Sequence, residues 1–232
     1  MNIIEKRLAE LANLPSVTPG DQIKLTPDWK LISGQSSQSV LKAFRSQGYK
    51  KVTNPAKTFF SVTGTEDENI LKFCKEKGIK LIDCEPEDYF RKEGVKQNGI
   101  VLAGIDQHIK CMGGNGAIPI VISPASMADC LATSSFSMVI PDTIYIEING
   151  PVYEQYTGET LCSYLLDSFN DSLIGNAVIL GGVVLEQLNN QDRKNLSYFF
   201  QLSGAAVGII SAEGPLGQVE SVIKMKLQLG KN

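Results

Sequence analysis

The 232-residue chain predicts a layered α/β fold of mostly parallel sheets with flanking helices, arranged in two lobes. Three observations carry that expectation. Short apolar runs alternate with longer stretches whose apolar residues recur at helical spacing. The runs 79–82 and 100–105 are apolar almost throughout, as strands buried on both faces are. Serine or threonine precedes the helical stretches and glycine follows them, which are start and stop signals.

Ser36 or Ser37 caps a first helix with Val40, Leu41 and Phe44 on one face, and Gly48 closes it. A β-rich run follows at 58–62. Thr65 and Glu68 have the spacing of a capping box, opening a helix through Ile70, Leu71 and Phe73 that Gly78 ends. The strands at 79–82 and 100–105 are separated by 85–98, which is charged and reads as irregular. Ser123-Pro124 supplies an N-cap and a first-turn proline for a helix reaching Thr133. Residues 143–148 then read as strand, 158–169 as helix, 177–180 as strand, 191–202 as helix ended by Gly204, and 207–210 as strand. The tail, 218–229, reads equally as strand or helix. Pro141 and the Asn149-Gly150-Pro151 turn flank the boundary between the lobes, 1–141 and 142–232.

Composition narrows the function classes. With 43% hydrophobic and 20% charged residues the chain is an ordinary globular protein, and a net charge of -3 gives no general attraction to nucleic acid. The basic stretch from Lys42 to Lys57 reads as a solvated helix face. Glu5, Lys6, Arg7 and Glu10 interrupt any apolar leader, and no run approaches the ~20 apolar residues that span a bilayer, so a cytoplasmic location without membrane contact is expected. Cysteines 74, 84, 111, 130 and 162 form no C-x-x-C pair, have no histidine cluster beside them, and read as reduced, mostly buried thiols.

His108 is the only histidine, in Asp106-Gln107-His108 at the exit of the run 100–105. Loops leaving strand ends are where α/β folds usually place chemistry. Asp106 could orient the imidazole, and Gly113, Gly114, Asn115 and Gly116 could let a ligand approach main-chain amides, with the helix after Ser123 adding partial positive charge. The plain alternative is a hydrogen-bonded structural histidine beside a turn. Nothing completes G-x-G-x-x-G, a P-loop or a G-x-S-x-G elbow. The serines at 33, 36, 37 and 39 are accounted for by helix capping, and Glu66, Asp67 and Glu68 by the dipole of a first helical turn.

The stretch Gly104-Ile105-Asp106-Gln107-His108, then Gly113 and Gly116-Ala117, Met127-Ala128, Leu131-Ala132-Thr133, Val139-Ile140-Pro141-Asp142-Thr143-Ile144 and Glu147-Ile148-Asn149-Gly150 resembles the large subunit of 3-isopropylmalate dehydratase and aconitase. Those proteins carry G-T-D-S-H-T, a glycine-rich loop, D-M-A, L-A-T-G and V-P-E-[ST]-I in the same order. The likeness extends through Val17-Thr18-Pro19-Gly20-Asp21 and Pro27-Asp28 upstream, and Gln191-Asp192-Arg193 and 204–210 downstream, over about the first half of a family member.

The resemblance implies an aconitase-like fold and descent from hydro-lyases that use an iron-sulfur cluster on di- or tricarboxylates. The family's three cluster thiolates come from a later region with no counterpart here, so no cluster or other cofactor is expected in this chain. The family's early His-Asp-Asn-Thr falls on Ser33-Gly34-Gln35-Ser36, and its D-S-H-T keeps only Asp106 and His108, with Gln107 and Ile109 replacing the hydroxyls. The site expected is therefore Asp106 and His108, with Gln107, Gly113, Gly114, Asn115, Gly116 and Ser36 for a ligand. The expected function is that of a cluster-free, non-catalytic binding or subunit protein for a small di- or tricarboxylate. The alternatives are part of a split hydro-lyase, or a cluster-free enzyme using Asp106 and His108. A homo-oligomer or a complementary hydro-lyase subunit is the expected assembly.

Overall fold

A computed structural model describes residues 1–33, 36–61, 67–150, 156–211 and, for the backbone alone, 221–226. Asn2 opens α1 (Ile3–Ala12): its Oδ1 accepts from the Ile4 and Glu5 amides while Glu5 Oε2 accepts from the Asn2 amide, a reciprocal capping box. The chain continues through β1 (Gln22–Leu25), β2 (Trp29–Ser33), α2 (Ser37–Ser46), β3 (Thr58–Ser61), α3 (Glu68–Lys77), β4 (Lys80–Ile82), α4 (Pro86–Lys92) and β5 (Val101–Gly104). A 3-10 stretch, Gln107–Asn115, leads to β6 (Ile118–Val121), α5 (Pro124–Thr133) and β7 (Phe136–Val139). The rest comprises β8 (Thr143–Asn149), α6 (Gly158–Phe169), β9 (Ala177–Gly181), α7 (Val183–Glu186), α8 (Asn190–Leu202), β10 (Val207–Ile210) and β11 (Ser221–Lys226).

Two parallel sheets result, ordered β4-β3-β2-β5-β6 and β10-β9-β8-β11, with β1 and β7 paired antiparallel beside them. This is the mixed α/β architecture expected. The first sheet is drawn from residues before Pro141 and the second from residues after it. One apolar core nevertheless runs from Ile4, Phe44, Phe60 and Leu131 to Ile179, Val207 and Ile209, so both sheets share buried surface. A second core lies among α6, α8 and β9, and a third gathers Phe59, Tyr89 and Phe90 against Trp29.

Several expectations need correction. The run 79–82 is not a strand buried on both faces: β4 lies at the sheet edge with Lys80 and Leu81 exposed. The charged segment after Glu85 is not irregular, because Pro86 starts α4 and its Tyr89 and Phe90 are buried. The helix of 68–77 is capped by Asp67, whose carboxylate accepts from the Asn69 amide 2.8 Å away; Thr65 and Glu66 lie outside the described residues. Within the tail, 221–226 is strand, paired in parallel with β8. The helix α1 and the strands β1, β2, β6 and β7 carried no clear signal. Pro119 argues against a strand at 118–121, but β6 is an edge strand, where a missing N–H is tolerated.

The two halves meet closely. An ideal Cβ on Gly113 would lie 1.9 Å from the Gly208 carbonyl oxygen of β10, and the Lys110 ammonium donates to the Ala205 carbonyl oxygen across the same seam. Among the described residues no helix is long and apolar enough to cross a membrane.

Candidate functional site

In parallel sheets, ligands gather where the carboxyl ends of the strands open. Here β2 ends at Ser33, β3 at Ser61 and β5 just before Asp106, and these residues line one cleft of about 520 Å³. Asp106 is held at both oxygens. The Ser33 hydroxyl donates to Oδ2 at 2.6 Å and the Ser36 hydroxyl to Oδ1 at 3.3 Å. Ser36 therefore does not cap α2 with its side chain, and the capping account of Ser33 and Ser36 gives way to a carboxylate-positioning one. Gly34 and Gln35, between them, lie outside the described residues.

Gln107 and His108 follow Asp106 onto the cleft wall, both exposed. His108 is not oriented by Asp106. Its Nε2 lies 3.4 Å from Glu85 Oε2, and its ring is 6.2 Å from that of Tyr198. Opposite, α8 contributes Lys194, whose Nζ is 3.5 Å from Glu87 Oε2. Burial works against the Lys194 charge, but Glu87, with Glu85 and Tyr198 beyond it, outweighs that and raises its pKa. Gln201, from the same helix, lines the cleft with a buried Oε1 that has no partner among the described residues.

The glycine-rich segment faces elsewhere. Gly113 and Gly114 are buried against β10 and α8, where ideal Cβ atoms would approach Gly208 and Arg193 carbonyl oxygens to 1.9 and 2.8 Å. What comes close to these glycines is another stretch of backbone. Asn115 acts indirectly on the cleft, donating from Nδ2 to Glu87 Oε1 at 3.1 Å and to Gln97 Oε1 at 3.2 Å. Gly116, with φ +78, terminates the 3-10 stretch. The start of α5 does not line the cleft, so its dipole has no part there.

The structure thus brings together Asp106, Gln107, His108 and Ser36, packs Gly113 into the seam, and places Gly114, Asn115 and Gly116 on the wall of a separate cavity of about 470 Å³ that Arg193 also lines. Sequence reasoning missed Ser61, Glu85, Glu87, Lys194 and Gln201, and read Ser33 only as a cap. The serine cluster was a usable signal for Ser33. Glu85 and Lys194 carried none, since folding alone brings α4 and α8 to the same opening.

The donor set does not fit an iron-sulfur cluster, which needs three cysteine thiolates around one space. Cys74 and Cys130 are packed in the first core and Cys162 in the second. Cys111 alone lines the cleft, and burial pushes its thiol up to about 11 despite a hydrogen bond with Ser197. Among the described residues no group of three His, Cys, Asp or Glu side chains is placed to hold a metal ion. What the cleft offers is polar recognition: three carboxylates, of which Asp106 is held by serine hydroxyls, an ammonium, two amides and an imidazole.

No family model matches the chain. It is 23% identical to the 3-isopropylmalate dehydratase large subunit of Halothermothrix orenii, over 92% of this chain and 54% of that protein. It is also 23% identical to the mitochondrial homoaconitase of Cryptococcus neoformans var. neoformans, over 99% of this chain and 33% of that protein. A 3-isopropylmalate dehydratase large subunit of Pyrococcus abyssi is 25% identical over all of this chain and 59% of its own length. Among solved structures, aconitase X of Thermococcus kodakaraensis in its holo-form superposes with a TM-score of 0.54 at 14% identity, covering 96% of this chain and 61% of that one. The fold is therefore aconitase-like, and the relatives in sequence are dehydratase large subunits and homoaconitases. The chain spans about half the length of the dehydratase relatives and a third of the homoaconitase.

Proposed function

We propose that this chain is a cluster-free, non-catalytic relative of the hydro-lyase large subunits that binds a small hydroxylated di- or tricarboxylate in the cleft at Asp106. The single observation that supports this reading most is the Asp106 carboxylate, gripped by Ser33 and Ser36 at the open end of the first sheet. A ligand hydroxyl donates to Asp106 or to the unpartnered Gln201 oxygen. A ligand carboxylate is met by the Lys194 ammonium and the Gln107 amide. Glu87 already engages the Lys194 ammonium and Glu85 lies 3.4 Å from the His108 ring nitrogen, so the ligand competes with Glu87 for Lys194 and its binding is weak and salt-sensitive. The thiols of this chain are not arranged to hold the iron that would withdraw a hydroxyl, so the ligand is held without being dehydrated.

Calorimetric titration with 3-isopropylmalate and citrate tests the binding. Saturable heat is expected, and Asp106→Asn should weaken it by about tenfold to a hundredfold, the loss of one hydrogen bond to a charged group. Equal affinity in the variant overturns the assignment. The purified chain, reconstituted anaerobically with iron and sulfide, should turn over neither acid; turnover would overturn the non-catalytic reading.

The likeness to dehydratase large subunits, together with a cleft that a single thiol lines, supports one second reading, a part of a split hydro-lyase whose cluster-bearing half is another chain. In that case a cysteine-bearing partner co-purifies at low salt, and mixing the two restores turnover. Asp106→Asn would then abolish turnover rather than binding alone.

A further inference from the structure

A cavity of about 240 Å³, sharing no lining residue with the cleft, lies where the start of α1 meets Pro19 and the N-terminal ends of β8 and β9. Two buried polar side chains on its wall lack partners. Asn2, 1% exposed, spends its Oδ1 on capping α1, but its Nδ2 donates to nothing among the described residues. Thr143, 7% exposed, likewise has no described partner for Oγ1. Buried amides and hydroxyls are almost always hydrogen-bonded, so two unmatched ones on one small cavity point to a ligand.

The same wall carries the Glu5 and Asp142 carboxylates. Glu5 Oε2 accepts from the Asn2 amide at 2.9 Å and lies 3.9 Å from the Met1 ammonium, whereas Asp142 has no ion-pair partner among the described residues. This pattern is selective. A bare metal ion would meet the Asn2 N–H donors and only two carboxylates, and a bare anion would face both carboxylates with no cation on the wall. A molecule with an anionic acceptor at one end and a cationic donor at the other meets Asn2, Thr143 and Asp142 together.

We propose that this cavity is a binding site for a small α-amino acid in its zwitterionic form. Its carboxylate accepts from Asn2 Nδ2 and the Thr143 hydroxyl, and its ammonium donates to Asp142. The volume restricts the side chain to a few carbons.

The test is titration of the full chain with glycine, L-alanine and L-serine, followed by calorimetry and thermal shift, with acetate and ethylamine as half-ligands. At least one amino acid should bind saturably, about tenfold or more tighter than either half-ligand. Thr143→Val, nearly isosteric, and Asp142→Asn should each weaken that binding about tenfold or more, while Asp106→Asn leaves it unchanged and so separates this site from the cleft. Should Thr143→Val not fold, Asp142→Asn decides alone. No saturable response to any of the three amino acids, an equal response to acetate, or undiminished binding in the folded variants overturns the proposal; a Thr143→Val protein merely more stable, from an isolated chain insensitive to amino acids, would count as the first of these.

Discussion

Above about pH 10.5 the folded chain is expected to lose stability steeply, because its buried thiols resist an ionisation that the unfolded chain undergoes freely. Burial pushes Cys74 up to about 12 and Cys111 and Cys130 up to about 11, from an ordinary value of 9.0. A group whose pKa is raised by folding contributes stability that is fully present below its unfolded pKa and is lost as the pH climbs through the folded one. Each such thiol removes about 1.4 kcal/mol per pH unit in that window.

Two buried lysines act in the opposite sense. Burial lowers the pKa of Lys30 and of Lys110, so between those lowered values and 10.5 the unfolded chain holds more protons and stability rises with pH. The lysines therefore offset much of the thiol effect up to 10.5 and none of it beyond. A shallow profile that turns into a steep alkaline limb follows: between pH 10.5 and 11 Cys74, Cys111 and Cys130 together remove about 4 kcal/mol per pH unit, and Cys162 and Tyr145, also raised by burial, add to it, against a total stability of about 5–15 kcal/mol. Urea denaturation from pH 8 to 11 measures it. The double variant Cys74→Ala, Cys130→Ala should start lower, from lost packing, but its alkaline limb should be clearly shallower, with Cys111, Cys162 and Tyr145 still raised by burial. Parallel limbs in the two proteins would refute the account.

Gly113→Ala should be among the most damaging single-methyl additions in the molecule. The new Cβ would meet the Gly208 carbonyl oxygen at 1.9 Å and its carbon at 2.9 Å, with Phe200 at 3.3 Å behind. The obstacle is backbone, so no rotamer relieves it, and the 3-10 stretch must move off β10, straining the Lys110 bond to Ala205 that ties the same seam. Overpacking of this kind costs about 3 kcal/mol or more, a large share of the total. Gly78→Ala is the contrast. Gly78 has φ +67 but nothing within 4 Å, so only the left-handed penalty of about 1–2 kcal/mol applies. Urea midpoints at unchanged slope should show Gly113→Ala well below Gly78→Ala; equal midpoints would mean the seam yields easily.

These glycines show how the candidate site was partly legible and partly misleading. A run such as Gly113-Gly114 reads as room for a ligand to approach main-chain amides, but sequence does not say what approaches, and at these two glycines the neighbour is backbone. Folding put β10 there. Asp106, Gln107 and His108 stood out because a strand exit is marked by the end of an apolar run. The Ser33 and Ser36 hydroxyls could accept from amides of the helix that follows or donate to a distant carboxylate, and 70 or more residues separate them from Asp106. Local patterns describe the first option only.

Periodicity and caps by themselves determined the α/β class, the helices α2, α5, α6 and α8 and the strands β5, β8, β9 and β10, because each depends on contacts within a few residues or on burial along one run. Only the tertiary structure decided that β4 is an exposed edge, that β6 tolerates Pro119, and that Glu85 rather than Asp106 faces His108. It alone decided, too, that Asn2 and Thr143 meet across one cavity. The physical reason is common to all four: strand order, ion pairing and cavity walls are set by which distant elements pack together, and that choice is made by the summed burial of the whole chain rather than by any one segment.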